Sequence, residues 1–574
     1  MTQAKLDGAQ ALVKRLEMEG VEYIWGLSGG AAIPIFDALV TTKTKIKLVL
    51  VRHEQAGAHM ADGYARATGR PGVVLVTSGP GATNTITGIM TAHMDSVPMV
   101  VITGQTVSSM LGKDAFQEAD VYGLTMPIVK HSYLVKRTDD IPRIVREAFY
   151  IARTGRPGPV LIDIPKDVSS GPCAAPLDSE MDLPGYVPVP RFDRDEVAKA
   201  AEALRGSKRP VLLVGHGAII ANATREVRRL AETLRAPVTT TLLGKGAFPE
   251  RHPLSLGMLG MHGTAYANKA MVECDLVLAI GSRFDDRIVG QPSKFCREAV
   301  RIHIDVDPAE IGKMVPVHHA CVGDAKKILR KLIELVRPLD TAEWLERLEG
   351  YRRKYPLTYN HTGALKAQQI LEELDRLTRG KAIVATDVGQ HQMWAAQFVR
   401  TERPGCWISS GGAGTMGFGF PAALGAKFGR PSEDVWALVG DGGFQMTSYE
   451  LATACVHKLG VKTIVFNNHY LGMVRQWQEL FFEDRKCGVD LEGNPDFAAL
   501  ASAYPGALGL KLREPSEIRS VLRRAMEYND GPCVIDAEVE KTDNVFPMIP
   551  AGKALDDMLV EPPRRRLEKP PGST

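Results

Sequence analysis

The chain has 574 residues, 24% of them charged and 44% hydrophobic, and its 70 Lys plus Arg against 67 Asp plus Glu leave a formal charge of +3. At about 100 to 200 residues per domain the length predicts three or four domains, and the near balance of charge excludes a disordered chain or one that coats a polyanion. The basic side chains are spread along the sequence, so no nucleic-acid role is expected. Apolar runs such as 97–103 are far shorter than the ~20 residues of a membrane helix, so no membrane span is expected either.

The first 25 residues carry Asp7, Glu17, Glu19 and Glu22 in an amphipathic helical pattern, unlike a signal or transit peptide, so a cytoplasmic protein is expected. Short β-rich apolar runs then recur at 47–51, 73–77, 99–103 and 160–164. More follow at 211–214, 276–280, 302–306, 382–386, 435–439, 463–466 and 533–539. They are apolar throughout instead of alternating, and longer helix-like stretches separate them. Both features predict an α/β fold of doubly wound parallel sheets with helices on two faces.

Two composition shifts divide this rhythm. Residues 169–191 crowd Pro172, Pro176, Pro184, Pro188 and Pro190 together, and 338–365 pass from a charged segment with Trp344 to Pro356 and polar residues. Read as linkers, they leave three domains, 1–168, 192–337 and 366–545. Residues 546–574 are expected to be a tail, mobile from Glu561 onward. The closest two of the eight cysteines stand 22 positions apart, which leaves no zinc or CxxC motif. Cys274 and Cys406 are expected to be small buried residues.

The run at 435–439 leads into Gly440-Asp441-Gly442-Gly443, and the run at 463–466 ends in Asn467-Asn468. Ligands of an open parallel sheet collect at the carboxyl ends of its strands, where a carboxylate and an amide oxygen can share one cation. Hard oxygen donors suit Mg²⁺, completed by a loop carbonyl near Tyr470, diphosphate oxygens and water. An isolated Gly-Asp-Gly is also a common tight turn; the paired asparagines, 26 residues after Asp441, favour the metal site.

Here the sequence resembles the thiamine diphosphate (ThDP) enzymes. The resemblance implies that Asp441, Asn468 and the Tyr470 backbone bind Mg²⁺, with Gly440, Gly442 and Gly443 along the diphosphate. Residues 1–168 then become a pyrimidine-binding domain, and 366–545 a diphosphate-binding one. His53 and His59 in Arg52-His53-Glu54-Gln55-Ala56-Gly57-Ala58-His59 are six apart and cannot share a helix face, which excludes a zinc-protease helix. Glu54 could be an ordinary helix N-terminal acid. The resemblance makes it the carboxyl group that hydrogen-bonds the aminopyrimidine ring, and small apolar neighbours favour the raised proton affinity this needs.

Gly112-Lys113-Asp114-Ala115-Phe116-Gln117-Glu118, Leu259-Gly260-Met261-His262-Gly263, Phe284-Asp285-Asp286-Arg287 and Gly472-Met473-Val474-Arg475-Gln476-Trp477 further resemble the acetolactate (acetohydroxyacid) synthase catalytic subunits, from Val21 to Met558. That resemblance implies that Phe116 and Gln117 form an active-site pair, that Lys166 lines the substrate channel and that Trp477 selects 2-ketobutyrate. Met416 would bend ThDP, with Gln390, His391 and Gly414 around it. An isolated Phe or Met is more often simply a core residue.

The middle domain resembles that family's FAD-binding domain, with matches at Arg156, Gly215, Gly217, Thr241, Leu242, Met261, His262, Gly281, Arg283, Asp305, Val306 and Asp324. By sequence alone, Gly215-His216-Gly217 lacks the third glycine of GxGxxG and makes only a candidate nucleotide site. Residues 412–417 do fit GxGxxG and are read as part of the ThDP site. Leu27-Ser28-Gly29-Gly30 and Val107-Ser108-Ser109 depart from the commoner family pattern, which touches herbicide sensitivity and the substrate channel.

The implied reaction decarboxylates pyruvate and joins the two-carbon unit to a second pyruvate or to 2-ketobutyrate. The implied assembly is a homodimer or homotetramer, with Glu54 of one chain facing Asp441 of another and a small regulatory subunit as partner. An FAD-dependent pyruvate oxidase, an FAD-free catabolic synthase and a noncatalytic binding subunit are the alternatives.

Overall fold

The structure is a computed structural model that describes residues 6–561. Its eighteen strands among those residues form three six-stranded sheets, in which all strand pairs are parallel. The N-terminal sheet contains β1 (Tyr23–Leu27), β2 (Lys47–Leu50), β3 (Gly72–Val76), β4 (Met99–Gln105), β5 (His131–Leu134) and β6 (Pro159–Pro165), in the order β2-β1-β3-β4-β6-β5. The central sheet contains β7 (Pro210–Val214), β8 (Val238–Thr240), β9 (Ser255–Met258), β10 (Leu276–Ile280), β11 (Val300–Asp305) and β12 (His319–Val322), in the order β12-β11-β10-β7-β8-β9. The C-terminal sheet contains β13 (Ile383–Thr386), β14 (Trp407–Ser409), β15 (Val435–Gly440), β16 (Val461–Asn467), β17 (Leu508–Leu512) and β18 (Cys533–Glu538), in the order β14-β13-β15-β16-β18-β17.

The inner strands β3, β4, β7, β10, β15 and β16 are buried along their whole length. This is the cause of their unbroken apolar runs, because helices cover both faces of each sheet. Each sheet has an inner point at which the strand order reverses, between β1 and β3, between β7 and β10, and between β13 and β15. The loops leaving those strands diverge and open a crevice at their carboxyl ends.

The described residues divide into two compact units, one of 6–190 with 361–542 and the other of 191–360 with 543–561. The first contains the N- and C-terminal sheets, whose facing helices share a core with Trp25, Val49, Ile383, Phe418 and Phe428. Its central crossing joins the helix Glu54–Thr68 to the helix Gly419–Gly429. A Cβ on Gly63 would stand 2.0 Å from Ala422 O, and one on Gly425 would stand 1.9 Å from Met60 O. The two backbones are therefore in direct contact, which glycine alone allows. Beside the crossing, the buried Arg66 binds Asp62 at 2.5 Å and Asp95 at 2.8 Å and donates to Ser409 O at 3.0 Å.

The second unit is built on the central sheet. It also takes in much of the stretch 338–365 expected as a linker: the helix Ala342–Lys354 packs there, with Trp344 Nε1 donating to Pro210 O at 3.2 Å. Residues 543–561 return to this unit instead of ending the C-terminal domain or forming a free tail. Ile549 N donates to Met261 O at 2.8 Å, and Ile549 and Leu555 are buried beside Met271. The apolar character of Val545, Met548 and Ile549 is the physical reason for this docking. The tail expected beyond residue 561 lies outside the described residues. Cys274 and Cys406 are both buried. No helix among the described residues is long and apolar enough to cross a membrane.

Candidate active site

The crevice between β13 and β15 gathers the polar groups read from the Gly-Asp-Gly segment. Asp441 begins the short helix Asp441–Gln445 directly after β15 and is 2% exposed. Burial pushes its carboxyl up to about 6, opposed by hydrogen bonds from Asn494 and from the Gly442 amide. Asn494 Nδ2 bridges Asp441 Oδ2 at 2.9 Å and Asn467 Oδ1 at 3.1 Å. Asn467 in turn donates to Asp536 on β18 at 3.2 Å, while Asn468 Oδ1 accepts the Tyr470 amide at 3.1 Å. Asn468 Nδ2 lies 3.4 Å from Gln390 Oε1, and Gln390 Nε2 donates to Gln476 Oε1 at 2.9 Å. Asp441–Asn494–Asn467 and Tyr470–Asn468–Gln390 are thus two hydrogen-bonded groups that meet at the consecutive Asn467 and Asn468, at adjacent strand ends.

His391 lies on the second turn-forming wall of the same crevice, in the helix Gln390–Phe398 that follows β13. Its ring packs on two glycines: a Cβ at Gly440 would meet it at 2.9 Å, and one at Gly389 at 3.0 Å. Burial drives the imidazole down to about 3, so it is neutral, and its buried Nε2 finds no hydrogen-bond partner among the described residues. A buried polar atom left without a partner is costly unless a ligand supplies one. Gly443 packs against Asp387, whose carboxyl oxygens accept the amides of Val388, Gly417 and Gly419 at 2.8, 3.0 and 3.0 Å. Gly442 faces Leu471 and the end of Met416. Gly414, at φ +64°, lies on the loop ahead of Met416, and this loop is tied to the N-terminal domain by Thr91–Thr415 at 2.7 Å and by Asp95, which accepts the amides of Gly411 and Gly412.

Glu54 is the first residue of its helix and is 5% exposed. Asn84 Nδ2 donates to its Oε2 at 3.0 Å, and His53 caps the helix by accepting the Gln55 amide. Gln117 has φ +57° and packs against Gly79, just after β3. Phe116 is 88% exposed, so the core role common for an isolated Phe does not apply to it. Lys166 is exposed at the end of β6, beside Asp167, which accepts Ser108 N and Oγ. Trp477 is half-buried on the helix Gly472–Phe481, edge-on to Phe481, and its buried Nε1 has no partner among the described residues. Asn84, Asp387, Gln476 and Asn494 carry no sequence signal of their own. A polar residue near a recognised motif was the only available pointer, and it fits Gln476 alone, next to Trp477.

In the second unit the β7–β10 crevice brings Gly215, Gly217 and Gly281 together. A Cβ on Gly215 would stand 2.2 Å from Gly281 O, and one on Gly217 would stand 2.7 Å from Gly281 Cα. Thr241 closes the neighbouring turn by accepting the Gly244 amide at 3.0 Å, with Leu242 next to it. Arg283 pairs with Asp285, Asp305 ends β11 and accepts the Asp307 amide, and Val306 follows. Met261 N donates to Arg287 O, and burial lowers the neighbouring His262 to about 4. Asp324 caps the helix Ala325–Leu335 through the Lys327 amide, so one of its oxygens has a structural task. Arg156 is in the first unit, where its Nε donates to Ser96 Oγ at 2.9 Å.

These crevices define a class. Family models for the thiamine pyrophosphate enzymes match stretches of all three domains: the N-terminal TPP binding domain over residues 6–124, the central domain over 197–332 and the C-terminal TPP binding domain over 387–537. The chain is 47% identical over 569 residues to the acetolactate synthase large subunit of Haemophilus influenzae, covering 98% of this chain and 99% of that one. It is 45% identical over 565 residues to the acetolactate synthase isozyme 3 large subunit of Escherichia coli K12, covering 96% and 98%. To the acetolactate synthase large subunit of Parasynechococcus marenigrum it is 48% identical over 573 residues, covering 98% and 92%. The chain belongs to the acetolactate synthase large-subunit family of thiamine pyrophosphate enzymes.

Proposed function

We propose that the chain catalyses the decarboxylation of pyruvate and the joining of the two-carbon unit to a second 2-keto acid. The products are 2-acetolactate from pyruvate and 2-aceto-2-hydroxybutyrate from 2-ketobutyrate. This would be the first common step of branched-chain amino-acid synthesis, in the cytoplasm. The observation that carries the reading is the β13–β15 crevice, where Asp441 follows Gly440, the His391 ring packs on Gly440, and His391 Nε2 is buried with no partner among the described residues.

The residues fit the cofactor. Asp441, Asn468 and the Tyr470 carbonyl would hold Mg²⁺, a hard-oxygen donor set that leaves room for phosphate and water. Gly440, Gly442 and Gly443 give the diphosphate close access to backbone amides, with Gln390 and His391 alongside. When bound, thiamine diphosphate supplies a carbon nucleophile and an electron sink for the electrons released as CO₂ leaves. Glu54 would hydrogen-bond the pyrimidine ring through one carboxyl oxygen, while Asn84 fixes the other. Met416, beside Gly442, would press on the bound cofactor, and Gly414 at φ +64° lets the loop turn. Gln117, Phe116 and Lys166 orient the keto acid, and Trp477 offers an apolar wall to the acceptor's ethyl group. Exclusion of water from the occupied site would keep the reacting carbon from being quenched.

Two chains would complete the site, Glu54 of one facing Asp441 of the other, in a homodimer or homotetramer. The exposure of Met110, Phe116, Tyr122, Leu124 and Met126 along one stretch supports a covering partner. The relatives carry the name large subunit, which supports a small regulatory subunit as a second partner. FAD would lie at the β7–β10 crevice, its pyrophosphate on Gly215, Gly217 and Gly281, with Thr241, Leu242, Met261, His262, Arg283, Asp305, Val306 and Asp324 around it.

The test is acid-converted acetoin formation from pyruvate by the purified chain, with ThDP, Mg²⁺ and FAD omitted in turn. Product that depends on ThDP and Mg²⁺, without oxygen uptake, is the expected result, and loss on omitting FAD assigns the second crevice. Oxygen uptake without acetoin would replace the reading with an oxidase.

A further inference from the structure

The turn that presents Glu54 is held from outside its own domain. β2 is the outer strand of its sheet, bonded on one side only, and its pairing with β1 ends where Val51 N donates to Gly26 O at 3.2 Å. The helix of Glu54 starts three residues later, and its first backbone bond, from Gly57 N, uses His53 O. The amides of Arg52 and His53 fall between the two and belong to neither ladder. Both donate to Oε1 of Glu450, at 2.8 and 3.1 Å.

Glu450 comes from the C-terminal domain. It closes the turn Ser448–Glu450, a few residues after the helix that Asp441 begins. Its side chain is fully buried, and Thr453 Oγ1 donates to its Oε2 at 2.5 Å, which fixes the carboxylate plane. The same Thr453 oxygen lies 3.4 Å from Leu50 O, and the Tyr449 ring sits 6.0 Å from that of His53. Residues 449–453 therefore clamp residues 50–53 from three sides. A carboxylate that accepts two backbone amides and a hydroxyl makes charge-assisted bonds of defined geometry, and they end one residue before Glu54.

We propose that Glu450 is a positioning residue for Glu54. It locks the strand-to-helix turn, so that the Glu54 carboxyl points in one direction before any ligand arrives. The Glu450 carboxylate takes no part in bond making. Because Glu450 and Asp441 share one short segment, the clamp also makes the Glu54 turn of a chain move with the metal loop of the same chain. This inference rests on the role given to Glu54 above and adds a group that no motif identifies.

The test compares Glu450→Ala, Glu450→Gln, Thr453→Val and Glu54→Gln with the unaltered chain. Amide hydrogen exchange is measured on the cofactor-free protein, and steady-state kinetics with ThDP and Mg²⁺ present. Glu450→Ala should speed exchange in residues 50–57 at least tenfold while β16 stays protected. It should also lower kcat at least tenfold, with KM for pyruvate changed less than threefold. Glu450→Gln keeps an acceptor oxygen and should restore both the protection and most of kcat. If Glu450→Ala does not fold, Thr453→Val should show the same two changes on a severalfold scale. Unchanged exchange at 50–57, equal losses in the Gln and Ala variants, or loosening of both domains alike would overturn the proposal. Glu54→Gln should abolish turnover and leave exchange at 50–53 as it was. An active Glu54→Gln would sink the assignment of Glu54 itself, a result separate from failure of the clamp.

Discussion

Alanine at Gly63 is the sharpest test of how the first unit holds its reacting groups. Its Cβ would stand 2.0 Å from Ala422 O and 2.6 Å from Ala422 C, well inside the 3.4 Å at which ordinary contact begins. The obstacle is backbone, with no flexible side chain to swing away, so the two helices must part by roughly 1 Å or more. Overpacking of this kind costs about 1–3 kcal/mol. At about 2–4 °C per kcal/mol in domains of 150–250 residues, the melting midpoint should fall by several degrees. Glu54 lies nine residues toward the helix N-terminus, about 14 Å at 1.5 Å per residue. A displacement near 1 Å at a reacting group can cost about a hundredfold in rate, so kcat should drop more than stability alone implies. Gly425→Ala, at 1.9 Å from Met60 O, should act alike, and the double variant should cost less than the sum, since one separation relieves both clashes. Gly350→Ala is the control, because nothing lies within 4 Å of its Cβ position. Differential scanning calorimetry and initial-rate assays read both quantities. If Gly63→Ala melts within a degree of the unaltered chain and keeps its kcat, the direct backbone contact is not what fixes the crossing.

Asn494→Ala should raise the Mg²⁺ concentration for half activity about ten- to a hundredfold, the usual cost of losing a group that orients a metal ligand; a change under threefold in chelator-buffered assays would remove Asn494 from the site. Trp477→Leu should erode preference for 2-ketobutyrate over pyruvate, a bias of ~1–3 kcal/mol for one methylene, measured as the product ratio in a competition assay; an unchanged ratio dismisses the indole as selector. Asp163, buried on β6 between Thr103 and Gln105, has its carboxyl pushed up to about 7 by burial. A carboxyl raised in the fold adds stability below its unfolded value near 3.8 and loses it as pH rises through about 7. The melting midpoint should therefore fall between about pH 4 and pH 7 and level off above, and Asp163→Asn should flatten that fall; parallel curves would refute the assignment.

The inner strands were legible because burial on both faces forces apolar runs, and the placing of Gly440-Asp441-Gly442 and Asn467-Asn468 at neighbouring strand ends was legible because each follows such a run directly. The strands that went unread are β1, β5, β8, β9, β12, β14 and β17. Most are short or marginal, such as Trp407–Ser409 and Val238–Thr240, or carry polar residues, as in His131–Leu134. β1 is central but contains Gly26, whose missing side chain admits the Leu75 carbonyl, a reason visible only once the sheet exists. Linker 338–365 was misread because polar, charged helices and true linkers share a composition, and the packing of Trp344 decides between them. Residues 543–561 were misread because nothing in a short apolar stretch says which distant sheet it will join. Asn494, Asn84 and Glu450 escaped for the same cause: each acts on a group far away in sequence, and a lone polar residue carries no record of its future neighbour.

The glycine crossing has a further property. Gly63 rests on Ala422 and Gly425 rests on Met60, and each glycine lies the same distance along its own helix from the residue it does not touch. The contact is self-reciprocal, as in an isologous dimer interface, although both partners belong to one chain. The two sheets that flank it repeat one strand order, 2-1-3-4-6-5 in each domain's own count. The first unit is therefore an internal pseudo-dimer, and its twofold relates positions that have parted in chemistry. Glu54 corresponds by the same offset to Met416, an acid matched with an apolar side chain. The loop after β3, Gly79-Pro80-Gly81, stands where the other half has Gly440-Asp441-Gly442 after β15. One half carries Glu54 and the other the Gly-Asp-Gly loop, so on the proposed reading neither half contains a whole site.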